Sequence, residues 1–492
     1  NEQPEEAPFA AQLVDSELGQ SVRLDARGYQ VAQLLRSPQT VDGLASQLET
    51  TMEVVEKVLD LFTRLHLLDT ESSELFVTEA LQTRAWQEGH PEEIPLLIRD
   101  DAAFSCTMCG SCCGGHNVGP VSAEVVAGLK DKRQALLART GSSKGLFFAV
   151  PVGRDGQAED QIVCHSRSGS CVFLSGDRRC VIHEDYGPEY KPEVCRLFPY
   201  QFVATPKGIA VSLSMECRGF AEAKNGQALK NQESGLRELL NIVPNLRRVR
   251  PVLLLDELNP IAYVEYENIE NELHALVDQH EGQPIQTLLA MRESLFKAQG
   301  RDCTAEIAEC DATTLRSHFS MLMQHTIKMA EALVQQYGKD DSEAHVHTET
   351  LEELAAAATS IMSDLPRVMG PLDRPSQGQL FQQVMHHQLM GKELTQTRTV
   401  VLGMARLSYS WFMSHALMIV RARQVKRRHL VDQDVMDGVV VMSFLLRNQG
   451  FMDDFQACDD ALVSLFYERL PALLLHAGEI AGSDGRVEFY KF

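Results

Sequence analysis

Eight residues, CTMCGSCC from Cys106 to Cys113, carry four of the twelve cysteines in a chain of 492. Five more follow at Cys164, Cys171, Cys180, Cys195 and Cys217, in a stretch (104–220) rich in Gly, Pro and Ser. Thiols this dense serve as disulfides, as zinc ligands or as iron–sulfur ligands. The first residues, NEQPEEAPFAAQL, have neither the basic start nor the apolar run of a secretory signal, and cytosolic thiols are kept reduced. The adjacent pair Cys112–Cys113 also suits a loop wrapped around an inorganic centre better than a pair of staples. In C-x2-C-x2-C, thiolates spaced three apart can converge on one centre, as in ferredoxin-type loops; zinc uses C-x2-C as readily. The spacing therefore predicts metal and leaves zinc and iron–sulfur open. Because Cys113 directly follows Cys112, the two are expected to face different centres, or one to stand behind the ligands.

Other reactive groups lie close in sequence. His116, His165 and His183 flank the cysteines and are expected to support them more than to replace them. Arg196, next to Cys195, is the candidate for hydrogen bonding to an anionic thiolate cage, with Phe198-Pro199 as an apolar lid. Cys303, Cys310 and Cys458 sit in helical runs and read as small core residues. His386-His387 cannot both face one metal from a helix, where neighbours point about 100° apart, and with His415 they read as structural. RARQVKRRH (421–429) is a dense basic patch in a chain of net charge −22. It reads as a solvated face, or as a site for an acidic partner, a nucleotide phosphate or the acidic N-terminal domain. There is no G-x-G-x-x-G after a strand, no P-loop, no G-x-S-x-G and no H-E-x-x-H.

Box by box, CTMCGSCC, CVFL (171–174), CVI (180–182) and PEVCRLFP (192–199) resemble the CxxCxxCC (YkgJ-type) family of zinc- or iron-chelating proteins. The further SLSMECRGF around Cys217 is similar to the flagellin lysine N-methylase (FliB) branch. The resemblance covers roughly residues 100–225. It implies Cys106, Cys109, Cys112, Cys113, Cys171, Cys180, Cys195 and Cys217 as metal ligands, enough for two four-coordinate centres, and leaves Cys164 outside the boxes. It favours iron–sulfur, one or two [4Fe–4S] clusters, over zinc, and it implies S-adenosylmethionine-dependent methylation of a protein or peptide lysine. A nearby carboxylate, Glu184 or Asp185, would then take the proton of the amine. The chain itself departs from known methyltransferase signatures. It shows no glycine-rich Rossmann loop, and its cysteine loop lacks the C-x3-C-x2-C of the radical type. The alternative is a non-enzymatic protein in which zinc or iron staples a domain used for assembly or sensing.

Elements that would position these residues follow from periodicity. The expected fold is mainly α (α+β): a disordered lead (1–10), a winged-helix or PqqD-like domain (11–80), a linker (81–103), the cysteine-cluster domain (104–225) and a helical domain (226–492). In the first domain Asp25 and Thr40 are helix N-caps, and Thr50 with Glu53 forms a capping box for a third helix. HLLDT and ELFVT, joined by ESS, are read as a hairpin. That domain holds five Lys and Arg against fifteen Asp and Glu over 1–80, which favours docking of a protein or peptide, flagellin-like or a leader peptide, over nucleic acid. Val400–Val420 is long enough for a bilayer, yet Arg406 lies inside it, so a buried helix is predicted rather than a membrane span. A cytoplasmic location is expected.

Overall fold

The chain as seen in a computed structural model is described for residues 11–477, apart from 16–17, 19, 65, 69, 91, 114–117, 153–158, 168–169, 244, 303–310, 338–344 and 448–455. The acidic lead, His116, Cys303 and Cys310 lie outside the described residues.

Side-chain oxygens set the first helices. Asp25 accepts from the Gly28 amide (2.7 Å) at the head of Ala26–Leu34, and Thr40 from Gly43 (3.0 Å) at the head of Val41–Gln47. The third helix, Met52–Arg64, starts one residue later than expected. Its first amides, Val54 and Val55, bond the carbonyl of Thr51, and Glu53 pairs with Lys57 (2.8 Å) instead of closing a capping box.

The expected hairpin after it does not form. Thr70 accepts from the Ser73 amide (3.2 Å) while Ser73 accepts from the Thr70 amide (2.8 Å), and this reciprocal cap turns ESS into the first turn of a long helix, Glu71–Glu88. The strands precede the helices instead: Ala11–Asp15 pairs antiparallel with Gln20–Leu24. The order is thus hairpin then helices, the reverse of a winged helix, and the boundary at residue 80 falls inside a helix. That helix ties the N-terminal unit to the rest. The carboxylate of Glu79 accepts from the amides of Tyr263 (2.6 Å) and Val264 (3.0 Å), donors that have no carbonyl partner within the helix Tyr263–Gln279 that they begin. The Trp86 indole donates to the carbonyl of Pro206 (3.0 Å).

Beyond it lies a sheet in the order Arg247–Arg248, Tyr200–Thr205, Gly208–Leu213, Leu96–Leu97. The central hairpin runs in register from Tyr200↔Leu213 to Thr205↔Gly208, and both edges are parallel. Gly208–Leu213 is buried at every position, because helices cover it. Those helices include Pro284–Ala298, Ala312–Tyr337, His345–Val368, Pro375–Met390, Val400–Gln424 and Asp432–Arg447.

One apolar core runs from Ile94 through this sheet to Ala477; a smaller second core comprises Val118, Leu129, Leu136, Leu146, Phe173, Val181 and Ile182 with Cys164 and Cys171. Residues 200–229 therefore pack with the helices, and a boundary at 225 cuts through the larger core. The fold class is mainly α with short sheets.

Val400–Gln424 is buried along nearly its whole length, and Arg406 is matched by Asp459 (2.7 Å). Among the described residues no helix is long and apolar enough to cross a membrane. Part of the basic patch is spent on neighbouring helices: Arg421 pairs with Glu353 (2.5 Å) and Asp437 (2.9 Å), and Arg427 with Asp434 (2.5 Å). The three helical histidines are bonded internally. His415 Nδ1 meets the Val368 carbonyl (2.8 Å), and His387 Nδ1 accepts from the Leu213 amide (3.3 Å). His386 bridges His274 (2.8 Å) and Asp278 (2.9 Å).

Candidate metal centre

The loop Cys106–Cys113 is shaped by two left-handed residues, Met108 (φ 53°) and Gly110 (φ 71°), and by a single 3-10 turn over Ser111–Cys113. At Gly110 a side chain would be strained, and its Cβ would meet Leu174 at 3.1 Å. The two ends of the loop are anchored on different walls. Upstream, the amides of Phe104 and Ser105 bond Gln227 and Ala223 (both 2.9 Å), just after the Cys217 turn. Downstream, the carbonyl of Val118 accepts from the Cys164 amide (2.9 Å), and Val121 bonds Ile162 (2.8 Å).

The other thiols are brought in by short turns. Ser166–Arg167 pairs with Ser170–Cys171, folding Cys164 back toward Cys171. A turn with Arg178 at φ 66° bridges Leu174 to Cys180. Cys195 sits on the helix Glu193–Leu197, whose Glu193 accepts from the Ser122 hydroxyl (2.5 Å). Cys217 follows the buried strand Gly208–Leu213 through a turn in which its amide bonds Ser214 (3.3 Å).

The result is a cavity of about 940 Å³ whose walls include Cys106, Cys109, Cys112, Cys113, Cys171, Cys180, Cys195 and Cys217. All are free thiols. The volume lies within the range of roughly 300–1,000 Å³ common for small-molecule sites, and apolar side chains such as Leu174, Leu236, Leu239 and Val440 share the lining. The thiols line the wall rather than close on a point: among the described residues no group of three or more Cys, His, Asp or Glu side chains stands as a single-ion cage. The donor set nonetheless suits zinc or iron, both of which take thiolates.

Two thiol pairs share protons. Cys112 is brought down to about 7, first by its hydrogen bond with Cys113 and also by the charge of Lys191; Cys113 is raised by the same bond and by burial. Cys171 is likewise lowered by its hydrogen bond with Cys164, whose own thiol is raised by that bond and by burial. Burial raises Cys195 and Cys217, each to about 12, and raises Cys180. Thiolate is the metal-binding form, so Cys112 and Cys171 are the sulfurs readiest to bind.

Charge neighbours link the set through Cys112. Cys217 feels Cys109, Cys112 and Cys106. Cys195 feels Cys171, Cys180 and Cys112, and Cys113 feels Cys112, Cys171 and Cys195.

The sequence reading left Cys164 outside the boxes, and it did not single out Lys191. Cys164, only 1% exposed, stands directly behind Cys171. The Ser-Gly pair in the sequence between Cys164 and Cys171 was the signal for that pairing. Lys191 is the cation beside the set: it adds to the hydrogen bonds that lower Cys112 and Cys171, and it partly offsets the burial that raises Cys180 and Cys195. It precedes Cys195 by four positions, just ahead of the helix Glu193–Leu197, the clue that Arg196 obscured. Arg196 itself lines the cavity, as do Phe198, Pro199, His183 and Glu184. Glu184 is engaged by Arg179 (3.4 Å) and Arg139 (3.5 Å), and Asp185 pairs with Arg139 (3.9 Å). His165 stacks on Phe148 (4.6 Å between ring centroids) and is not part of the lining. Cys458 is buried in the helical core.

No curated protein and no solved structure matches the chain significantly. Residues 105–222 match the CxxCxxCC family model, whose description is "Putative zinc- or iron-chelating domain". That segment includes every cysteine on the cavity wall, so the thiols of the cavity are those that the zinc- or iron-chelating model matches, while Leu236, Leu239 and Val440 of the lining lie beyond it.

Proposed function

We propose that this chain is an iron–sulfur protein similar to the protein-lysine N-methylases, acting on a protein or peptide substrate with S-adenosylmethionine as methyl donor. The observation that carries the reading is the shared cavity: eight thiols open into a space far larger than one ion needs, with apolar walls and carboxylates. A bound cluster would supply an iron site able to act as a Lewis acid toward a donor molecule. The chain's own residues supply the rest. The Cys113 hydrogen bond and, behind it, the charge of Lys191 favour the thiolate of Cys112, and Leu236, Leu239 and Val440 exclude water from the far wall. A lysine substrate must lose a proton, and Glu238, on the cavity wall, is a carboxylate placed for it because Glu184 is already bound by two arginines. The N-terminal unit, acidic and with Tyr29, Met52 and Leu61 exposed, would receive the substrate chain.

A second reading, zinc or iron as a non-catalytic staple, is favoured by the makeup of the smaller core, which counts Cys164 and Cys171 among its own buried residues. Metal there supplies folding energy that a small core lacks. Purification without oxygen, followed by iron, zinc and acid-labile sulfide analysis and transfer of labelled methyl groups to candidate proteins, separates the two. Iron with matching sulfide and labelled lysine supports the first; stoichiometric zinc and no transfer leaves the staple.

A further inference from the structure

We infer that Arg196 binds a carboxylate of the small molecule held in the cysteine-lined cavity. The inference rests on the methylase reading above, under which that carboxylate is the amino-acid end of S-adenosylmethionine. It assigns a protein residue to one group of that ligand.

The lining includes Arg178, Arg179, Arg196 and Arg218. Two of these are spent on carboxylates of the protein itself: Arg179 on Glu184 (3.4 Å) and Arg218 on Asp437 (3.5 Å). Arg178 is exposed, so water solvates its charge. Arg196 differs from all three. It is half-buried, and among the described residues no hydrogen bond or ion pair engages its guanidinium. Nor is it hydrogen-bonded to a thiolate cage, the role its place in the sequence suggested: the cation felt by Cys195 is Lys191, although Arg196 is the next residue. A guanidinium partly withdrawn from water carries donors that cost free energy until an acceptor meets them. The cavity it lines is where that acceptor can come from.

The backbone fixes its position. Arg196 lies in the helix Glu193–Leu197, where its amide bonds the Pro192 carbonyl (3.1 Å), and the start of that helix is held by the bond from the Ser122 hydroxyl to Glu193 (2.5 Å). The planar fork of a guanidinium matches the two oxygens of one carboxylate. A phosphate suits the place less well. Its larger charge would meet Glu184, Glu189, Glu216 and Glu238 in the same lining, where the repulsion on a singly charged carboxylate is smaller. The rest of the ligand would lie against Leu236, Leu239 and Val440, and a cavity of about 940 Å³ has room for a group as large as a nucleoside.

The test uses the full chain, purified without oxygen and reconstituted with iron and sulfide. It is titrated calorimetrically with S-adenosylmethionine and with decarboxylated S-adenosylmethionine, which lacks only the carboxylate. The wild type should bind the first about 10- to 100-fold more tightly, the range expected for a charge-assisted hydrogen-bonded pair. Arg196→Met should erase this preference, leaving the affinity for the decarboxylated molecule, the bound iron and the far-ultraviolet circular dichroism unchanged. Arg196→Lys, which keeps the charge and loses the fork, should show a preference between those two extremes, and it carries the comparison should Arg196→Met fail to fold. Equal wild-type affinity for the two molecules overturns the inference, as does a preference that survives in full in the substituted chain; either result leaves the methylase reading standing. A wild-type chain that binds neither molecule overturns the methyl-donor reading itself, and the inference with it.

Discussion

Acid should unfold this protein through its buried histidines. His274, His387 and His415 are buried, and burial lowers them to about 3, 4 and 4 from an ordinary 6.5. The folded state takes up these protons later than the unfolded chain, so below pH 6.5 protonation pulls toward unfolding and stability falls as pH drops. One pKa unit is worth about 1.4 kcal/mol, so at pH 5 each histidine costs about 2 kcal/mol relative to pH 7.5 and the three together about 6 kcal/mol. Glu79, raised by burial, opposes this but is one group. Urea unfolding from pH 7.5 to pH 5 measures the loss. His415→Gln preserves a donor toward the Val368 carbonyl while removing the titration, and should lessen the drop by about 2 kcal/mol. Comparison with the wild type cancels proton release by the thiols. Stability at pH 5 within about 1 kcal/mol of that at pH 7.5, or an unchanged slope in His415→Gln, would refute the reasoning.

Three further outcomes are expected. In metal-free protein at pH 7, iodoacetamide should modify Cys112 about tenfold faster than an ordinary thiol, because about half of it is thiolate there; peptide mapping over time reads the order. Lys392→Met should cost about 3–5 kcal/mol by leaving Glu270 charged and buried without its partner, and Lys392→Met/Glu270→Leu should recover most of it in urea melts. Gly219→Val should lower bound metal with little change in the far-ultraviolet circular dichroism, because its side chain would crowd Thr107 and the Cys109 sulfur.

Metal chemistry was legible because thiol spacing is local: the eight cysteines of the boxes line one cavity, although they lie up to 111 positions apart. The caps at Asp25 and Thr40 were equally readable. Thr70 was not, because Thr-x-x-Ser is a weaker signal than Thr-x-x-Glu, and the β-branched and aromatic residues of ELFVT argued for a strand. Tertiary burial of Phe76 and Ala80 decided for the helix. The cut at 225 followed composition, which turns helical there, whereas the core is set by which elements cover the sheet. Lys191 could not be preferred over Arg196 from sequence, since both flank Cys195 and only the chain path decides which charge reaches the sulfurs.

The two-core arrangement also sets what can be borrowed from this protein. A piece cut at the ends of the family match, 105 and 222, would keep every cavity cysteine yet lose Phe104, the Ala223 carbonyl that holds Ser105, and the helices over Ala204, Ile209, Val211 and Leu213. Such a fragment would present bare apolar strands to water and collapse onto its copies. A transplant that keeps its shape has to bring along its helical roof.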